Sequence, residues 1–126
     1  PLIVALWFQY ERGSLWSCSP SRSFVVQALE VHSEVAFDVS TNDLPYKGVR
    51  GRCHAHCSHT ESKRELEHLL HRYLSGTDNG LARWLLARPV IETVIRFDID
   101  WLTSWDFTPR MGDLEKLSSR DPDLDL

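Results

Sequence analysis

The sequence predicts a mainly β domain, a small barrel of roughly six strands with two or three helices set between them. Two observations carry this. Residues 35–40 and 47–58 alternate between apolar or small side chains and polar ones, the period of a half-buried strand. The order of elements reads hairpin, helix, two strands, helices, two strands, which is not the regular alternation of a doubly wound sheet.

In chain order, residues 2–10 are apolar on both alternating faces, with Leu2, Val4, Leu6 and Phe8 on one and Ile3, Ala5 and Trp7 on the other. Such a strand is expected to be covered on both sides, by the core and by a helix or partner subunit. Glu11-Arg12-Gly13-Ser14 is a turn, and 15–18 returns as the second arm of a hairpin. Ser19-Pro20-Ser21 ends that strand and caps a helix over about 22–32, whose polar stripe is Ser23, Gln27 and Glu30, so most of its circumference is expected to be buried.

Val35, Phe37 and Val39 point inward from a third strand, and 41–45 is a polar loop. Residues 47–58 form a longer strand with Val49, Gly51, Cys53, Ala55 and Cys57 on one face and Arg50, Arg52, His54 and His56 on the other. A helix over about 61–74 presents Leu66, Leu69, Leu70, Tyr73 and Leu74 on one side. Leu81, Trp84 and Leu85 mark a short helix stopped by Pro89. Two final strands are expected over 90–98 and 101–107.

The 126 residues suffice for one cored domain without disulfides or a structural metal. The net charge of −4 is concentrated at the end, where Asp113, Glu115, Asp121, Asp123 and Asp125 against Lys116 and Arg120 leave 113–126 at −3. The expected organisation is therefore a domain over 1–111 and a mobile acidic tail over 112–126. A near-neutral body gives no electrostatic case for nucleic-acid binding. Three cysteines make no disulfide framework and suit a reducing, cytoplasmic setting. No apolar run approaches the ~20 residues that span a bilayer. The chain starts without Met inside what reads as a strand, so a further N-terminal piece is expected.

Cys53-His54-Ala55-His56-Cys57-Ser58-His59 invites a metal reading. On a strand, however, Cys53 and Cys57 lie about 13 Å apart at ~3.3 Å per residue, and His54 and His56 roughly 7 Å apart. Neither pair can share an ion, so no metal is expected there. No Ser-His-Asp or Cys-His set announces itself, and Asp98, Asp100 and Asp106 read as caps around a strand turn. Catalytic residues are unassigned. Gly48 and Gly51 keep bulk off a strand that carries Arg50 and Arg52, which favours close approach of a bulky anion. Trp105 and Arg110 add an indole and a guanidinium near the end of the domain. Together they suggest a site for a planar, phosphorylated molecule.

These residues resemble the pyridoxamine 5′-phosphate oxidase-related, FMN-binding split-barrel family. The resemblance covers nearly all of 2–111. It runs through Leu6-Trp7-Phe8-Gln9-Tyr10, Leu15-Trp16, Val35-Ala36-Phe37, Tyr46-Lys47-Gly48-Val49-Arg50-Gly51-Arg52, Leu81-Ala82-Arg83-Trp84-Leu85 and Ser104-Trp105-Asp106-Phe107-Thr108-Pro109-Arg110-Met111. It implies a Greek-key split β-barrel with two or three flanking α-helices, an obligate homodimer, and two flavin sites at the subunit interface. Carried over, Leu6, Trp7 and Phe8 would line the isoalloxazine ring through backbone contacts, and Ser19, Ser21, Arg22 and Ser23 would hold the phosphate. Tyr46 and Lys47 would reach the ring's polar edge, while Trp105 and Arg110 would come from the other subunit.

The family's basic residues at the helix start correspond here to Ser23-Phe24-Val25, which leaves Arg22, Arg50 and Arg52 as the available cations. The implied activity is hydride transfer between FMN, or a deazaflavin, and a small organic substrate, with the cofactor carrying the chemistry. The alternative is a non-enzymatic dimer with a degenerate phosphate site that holds haem, through His54, His56 or His59, or another ligand.

Overall fold

A computed structural model describes residues 2–60 and 62–110; Pro1, Glu61, Met111 and the acidic 112–126 tail lie outside the described residues. The chain is mainly β. Its elements are β1 (Gln9–Glu11), β2 (Ser14–Pro20), α1 (Phe24–Val31), β3 (Glu34–Ser40), β4 (Lys47–Ser58), α2 (Ser62–Leu74), α3 (Gly80–Ala87) and β5 (Glu92–Asp106). The strands form a five-stranded sheet in the order β1-β2-β5-β4-β3. β1 and β3 are its edges, so the described sheet is open and does not close into the expected barrel. No helix among the described residues is long and apolar enough to cross a membrane.

Local chemistry explains the boundaries. Arg12 and Gly13 both take positive φ, 52° and 79°, the two-residue turn whose twist matches an antiparallel pair. This sets the register Gln9↔Trp16 and Glu11↔Ser14. Ser23 starts α1 by accepting from the Val26 N–H, and Asn79 starts α3 by accepting from the Ala82 N–H at 2.8 Å.

The described chain divides into two compact units, residues 2–35 with 53–100 and residues 36–52 with 101–110. The first holds two cores on opposite faces of the β2–β5 pair. Residues directly paired across antiparallel strands point the same way. Ser17 pairs with Ile95 and Leu15 with Phe97. Ile95 and Phe97 join Val26 and Leu29 of α1 and Ala55 of β4 in one cluster. Cys18, which pairs with Val94, faces the other way, into a cluster of Leu66, Leu70 and Ala82 with Trp7 beside it. Cover on both faces is why 92–95 are all buried.

In the second unit, the loop between β3 and β4 is closed by Thr41, whose N–H donates to the Lys47 carbonyl at 2.9 Å. The Phe107 N–H donates to the Tyr46 carbonyl at 2.9 Å.

The structure corrects three expectations. Of the predicted 2–10 strand, only Gln9 and Tyr10 fall in β1; Leu2, Ile3 and Val4 are 54%, 98% and 49% exposed. An apolar segment becomes a strand only where a neighbour offers backbone hydrogen bonds, and β1 is an edge. The two predicted closing strands are one, β5. Asp98 and Asp100 lie in its run, where they meet His56 and His54. Carboxylates expected to end a strand instead form cross-strand pairs. Helix α1 buries Val26 and Leu29 but leaves Phe24 and Val31 more than four-fifths exposed, because the sheet covers one side of it.

Candidate functional site

The head of α1 gathers the predicted phosphate residues within the first unit. Ser19, 7% exposed, donates its hydroxyl to Ser23 Oγ at 2.9 Å. Ser23 Oγ also accepts from the Val26 N–H at 3.4 Å. With both lone pairs occupied, its own proton is left to donate. Ser21 Oγ and Thr93 Oγ1 share a hydrogen bond at 2.7 Å, which leaves one hydroxyl proton between them, and Thr93 is 1% exposed. The first-turn N–H groups of Phe24 and Val25 have no partner within the helix. Arg22 is exposed, and its carbonyl accepts from Gln27 Nε2 at 3.1 Å. The arrangement offers donors in excess of acceptors beside the positive end of a helix, which is chemistry suited to an anion.

The predicted ring-lining backbone is tied internally. Tyr73 stacks on Trp7 with centroids 5.1 Å apart and planes at 7°. The Phe8 N–H donates to the Tyr73 hydroxyl at 3.1 Å, and that hydroxyl donates to the Phe8 carbonyl at 3.1 Å. The Trp7 carbonyl accepts from Ser17 Oγ at 2.6 Å. Leu6 and Phe8 are half-buried, with the Arg72 guanidinium 4.9 Å from the Phe8 ring. The backbone groups expected to contact a ring therefore already have partners within the chain at Trp7 and Phe8.

In the second unit, Tyr46, Trp105 and Arg110 are brought together around Phe107. Trp105 packs tilted on Phe107 at 5.2 Å, and the Arg110 guanidinium lies 5.6 Å from the Phe107 ring. The Trp105 Nε1–H is buried without an acceptor among the described residues. Lys47 and Arg50 are exposed on β4. The two glycines do not hold space open for a ligand as the sequence suggests. A Cβ on Gly48 would meet the Val39 carbonyl at 2.3 Å and Trp105 Cζ2 at 2.9 Å; one on Gly51 would meet the Trp101 carbonyl at 2.0 Å. That room is filled by the protein itself. Thr93, Tyr73 and Phe107 organise these groups, and the sequence does not mark them as site residues. Thr93 lies within a strand-like run, and the partners of all three depend on tertiary pairing.

The three carboxylates of β5, Asp98, Asp100 and Asp106, are engaged in hydrogen bonds and ion pairs. Asp98 accepts from Ser14 Oγ at 2.7 Å and Arg96 Nε at 2.9 Å, and stands 3.1 Å from His56 Nε2. The Ser14 hydrogen bond, helped by Arg96, holds its pKa below the ordinary carboxylate value. Asp106 caps Thr108 through that residue's hydroxyl and N–H, which lowers its pKa as well. Asp100 pairs with His54.

The thiols are poor nucleophiles. Burial, then Glu92 and Glu65, pushes Cys18 up to about 12; burial, then Asp100 and Asp98, pushes Cys53 up to about 11. Cys57 is raised too, mainly by desolvation, yet it is exposed. At pH 8 a disulfide-exchange reagent should therefore titrate Cys57 first. Cys18 and Cys53 should react only after denaturant is added; three equal fast phases would contradict this.

No family model and no curated protein matches the sequence. Among solved structures the fold is similar to that of the conserved hypothetical protein Rv2991 from Mycobacterium tuberculosis, at 18% identity and a TM-score of 0.66, over 86% of this chain and 70% of that one. It is also similar to a candidate 5-nitroimidazole antibiotic resistance protein from Bacteroides thetaiotaomicron, at 16% identity and a TM-score of 0.53, over 82% of this chain and 68% of that one. At these identities the likeness is one of fold.

Proposed function

We propose that this chain is a flavin-binding oxidoreductase of the pyridoxamine 5′-phosphate oxidase-related kind, a cytoplasmic homodimer that takes FMN or a deazaflavin. The observation that carries the reading is the donor set at the head of α1. A spare Ser23 proton, the first-turn N–H groups of Phe24 and Val25, which have no partner within the helix, and the neighbouring Arg22 suit a phosphate or phosphodiester. In this reading Trp105 comes from the other subunit of the dimer, and its buried indole N–H is a donor that a ring carbonyl would satisfy. Bound flavin would supply hydride transfer to or from a small organic substrate, and this chain's residues would bind and orient it.

The Greek-key split-barrel topology belongs to the same reading. So does the dimer, for which the exposed Leu2, Ile3 and Val4 beside edge strand β1 supply apolar surface. The neighbour from Bacteroides thetaiotaomicron is named for resistance to a nitro-substituted heterocycle, a class of compound that a bound hydride donor can reduce. A ligand-binding dimer without flavin chemistry is the second reading. It draws on Phe24, 83% exposed where the family carries a cation.

Titrating the purified chain with FMN, and separately with a deazaflavin, should quench cofactor fluorescence at one equivalent per chain. Ser23→Ala should weaken that binding at least about tenfold, the equivalent of ~1.4 kcal/mol. No quenching with either cofactor, with a Soret band on adding haem, would support the second reading.

A further inference from the structure

Two carboxylates and an imidazole converge between the first hairpin and α2, apart from every residue discussed for the flavin. Glu65 and His68 sit three positions apart on α2, so they share a helix face. Glu11 reaches them from β1. The three offer ligand atoms, one each, that all lie within 4.8 Å of one another.

Burial makes this more than an exposed acidic cluster. The Glu65 side chain is 4% exposed, and a carboxylate so far from water needs a cation or strong donors. Its ion-pair partner, Arg12, stands 3.9 Å from Oε1, beyond hydrogen-bonding reach, with its guanidinium drawn over the Trp16 ring at 4.6 Å. Independently, His68 Nδ1 is buried with no hydrogen-bond partner among the described residues. An ion held by the imidazole and both carboxylates would answer these needs at once.

We infer that Glu11, Glu65 and His68 form a binding site for a divalent transition-metal ion. Mixed imidazole and carboxylate donors suit zinc, manganese or iron(II) rather than calcium or magnesium. A tetrahedral ion at about 2.1 Å from each ligand sets ligands about 3.4 Å apart. The 4.8 Å limit requires a side-chain adjustment, and Glu11, with its side chain 35% exposed, is the flexible member. Gln9 Nε2 donates to Glu11 Oε2 at 2.8 Å and orients that carboxylate from outside the cluster. His68 also lines an open surface depression with Gln9, His71 and Arg72, so the imidazole is reached from solvent.

Equilibrium dialysis of the full chain against ZnCl₂ or MnCl₂, followed by metal analysis, should give one ion per chain. Glu65→Gln and His68→Gln should each weaken binding by at least roughly ten- to a hundredfold. Should those variants fail to fold, Glu11→Gln on the sheet edge provides the same test. Added Zn²⁺ should raise the melting temperature of the native chain but not of Glu11→Gln. A triple variant, His54→Gln with His56→Gln and His59→Gln, should retain the ion. The inference is overturned by absence of stoichiometric binding, by binding that survives loss of Glu65 or His68, or by binding lost in the triple variant.

Discussion

Gly51→Ala should cost the fold roughly 3 kcal/mol or more, a large part of the ~5–15 kcal/mol that a domain has in total. The side chain being added is a single methyl group, so the effect rests on where it would go. A Cβ at Gly51 would lie 2.0 Å from the Trp101 carbonyl oxygen, 2.8 Å from Leu102 Cα and 3.0 Å from the Trp101 carbonyl carbon. All three are backbone atoms of β5, the strand beside β4 in the sheet. A clash with a side-chain tip is relieved by a rotamer change; a clash with backbone is relieved only by pushing two strands apart and breaking their hydrogen bonds.

Gly48→Ala presses on the Val39 carbonyl at 2.3 Å and on the Trp105 indole at 2.9 Å, and the indole can give way, so its cost should be smaller. Gly13→Ala has nothing within 4 Å, and its penalty is that of a side chain at φ +79, about 1–2 kcal/mol. Urea denaturation midpoints should rank the three with Gly51→Ala lowest. A Gly51→Ala protein within 1 kcal/mol of the parent, by linear extrapolation, would mean that β4 and β5 do not approach as closely as described.

The elements that the sequence makes legible are those whose periodicity needs no partner to interpret. β4 follows its alternation from Lys47 to Ser58, and α2 buries Leu66, Leu69 and Leu70 as a 3.6-residue period requires. The turn at Arg12-Gly13 is written in local chemistry. What the sequence hides depends on who sits opposite. The apolar run over 2–10 looks like a strand covered on both faces, but pairing is a property of two segments. Asp98 and Asp100 look like turn residues until His56 and His54 stand across from them.

The site divides in the same way. Ser19, Ser21 and Ser23 are readable as a helix start, because capping is local. Gly48 and Gly51 suggest room for a ligand, yet the room is taken by Trp105 and by Trp101, residues far along the chain. Glu65 and His68 share a helix face by spacing alone. Nothing local announces that Glu11 completes their cluster.

Ile95→Ala should lower stability by about 2–5 kcal/mol and should loosen one helix selectively. Ile95 is fully buried on β5, against Val26 and Leu29 of α1 and Ala55 of β4. Removing its outer carbons deletes the floor on which α1 rests, since Val26 and Leu29 are the buried side chains of α1 and Val25 packs beside them. Amide hydrogen exchange should therefore accelerate in α1 more than in α2 or α3. Leu70→Ala supplies the control. Leu70 is as fully buried, but it belongs to the cluster with Leu66 and Ala82 on the other face of β2–β5. Its loss should be of similar size in urea and should appear as faster exchange in α2 and α3.

The selectivity bears on the proposed chemistry, because the hydroxyls and N–H groups offered to a phosphate stand at the head of α1. Ile95→Ala should weaken FMN binding, through a helix that no longer holds its first turn in place, more than Leu70→Ala does at matched stability. If both variants loosen all three helices equally, the two cores melt as one and α1 has no independent hold on its donors. In that case a change in cofactor affinity would report global stability rather than the geometry at Ser23.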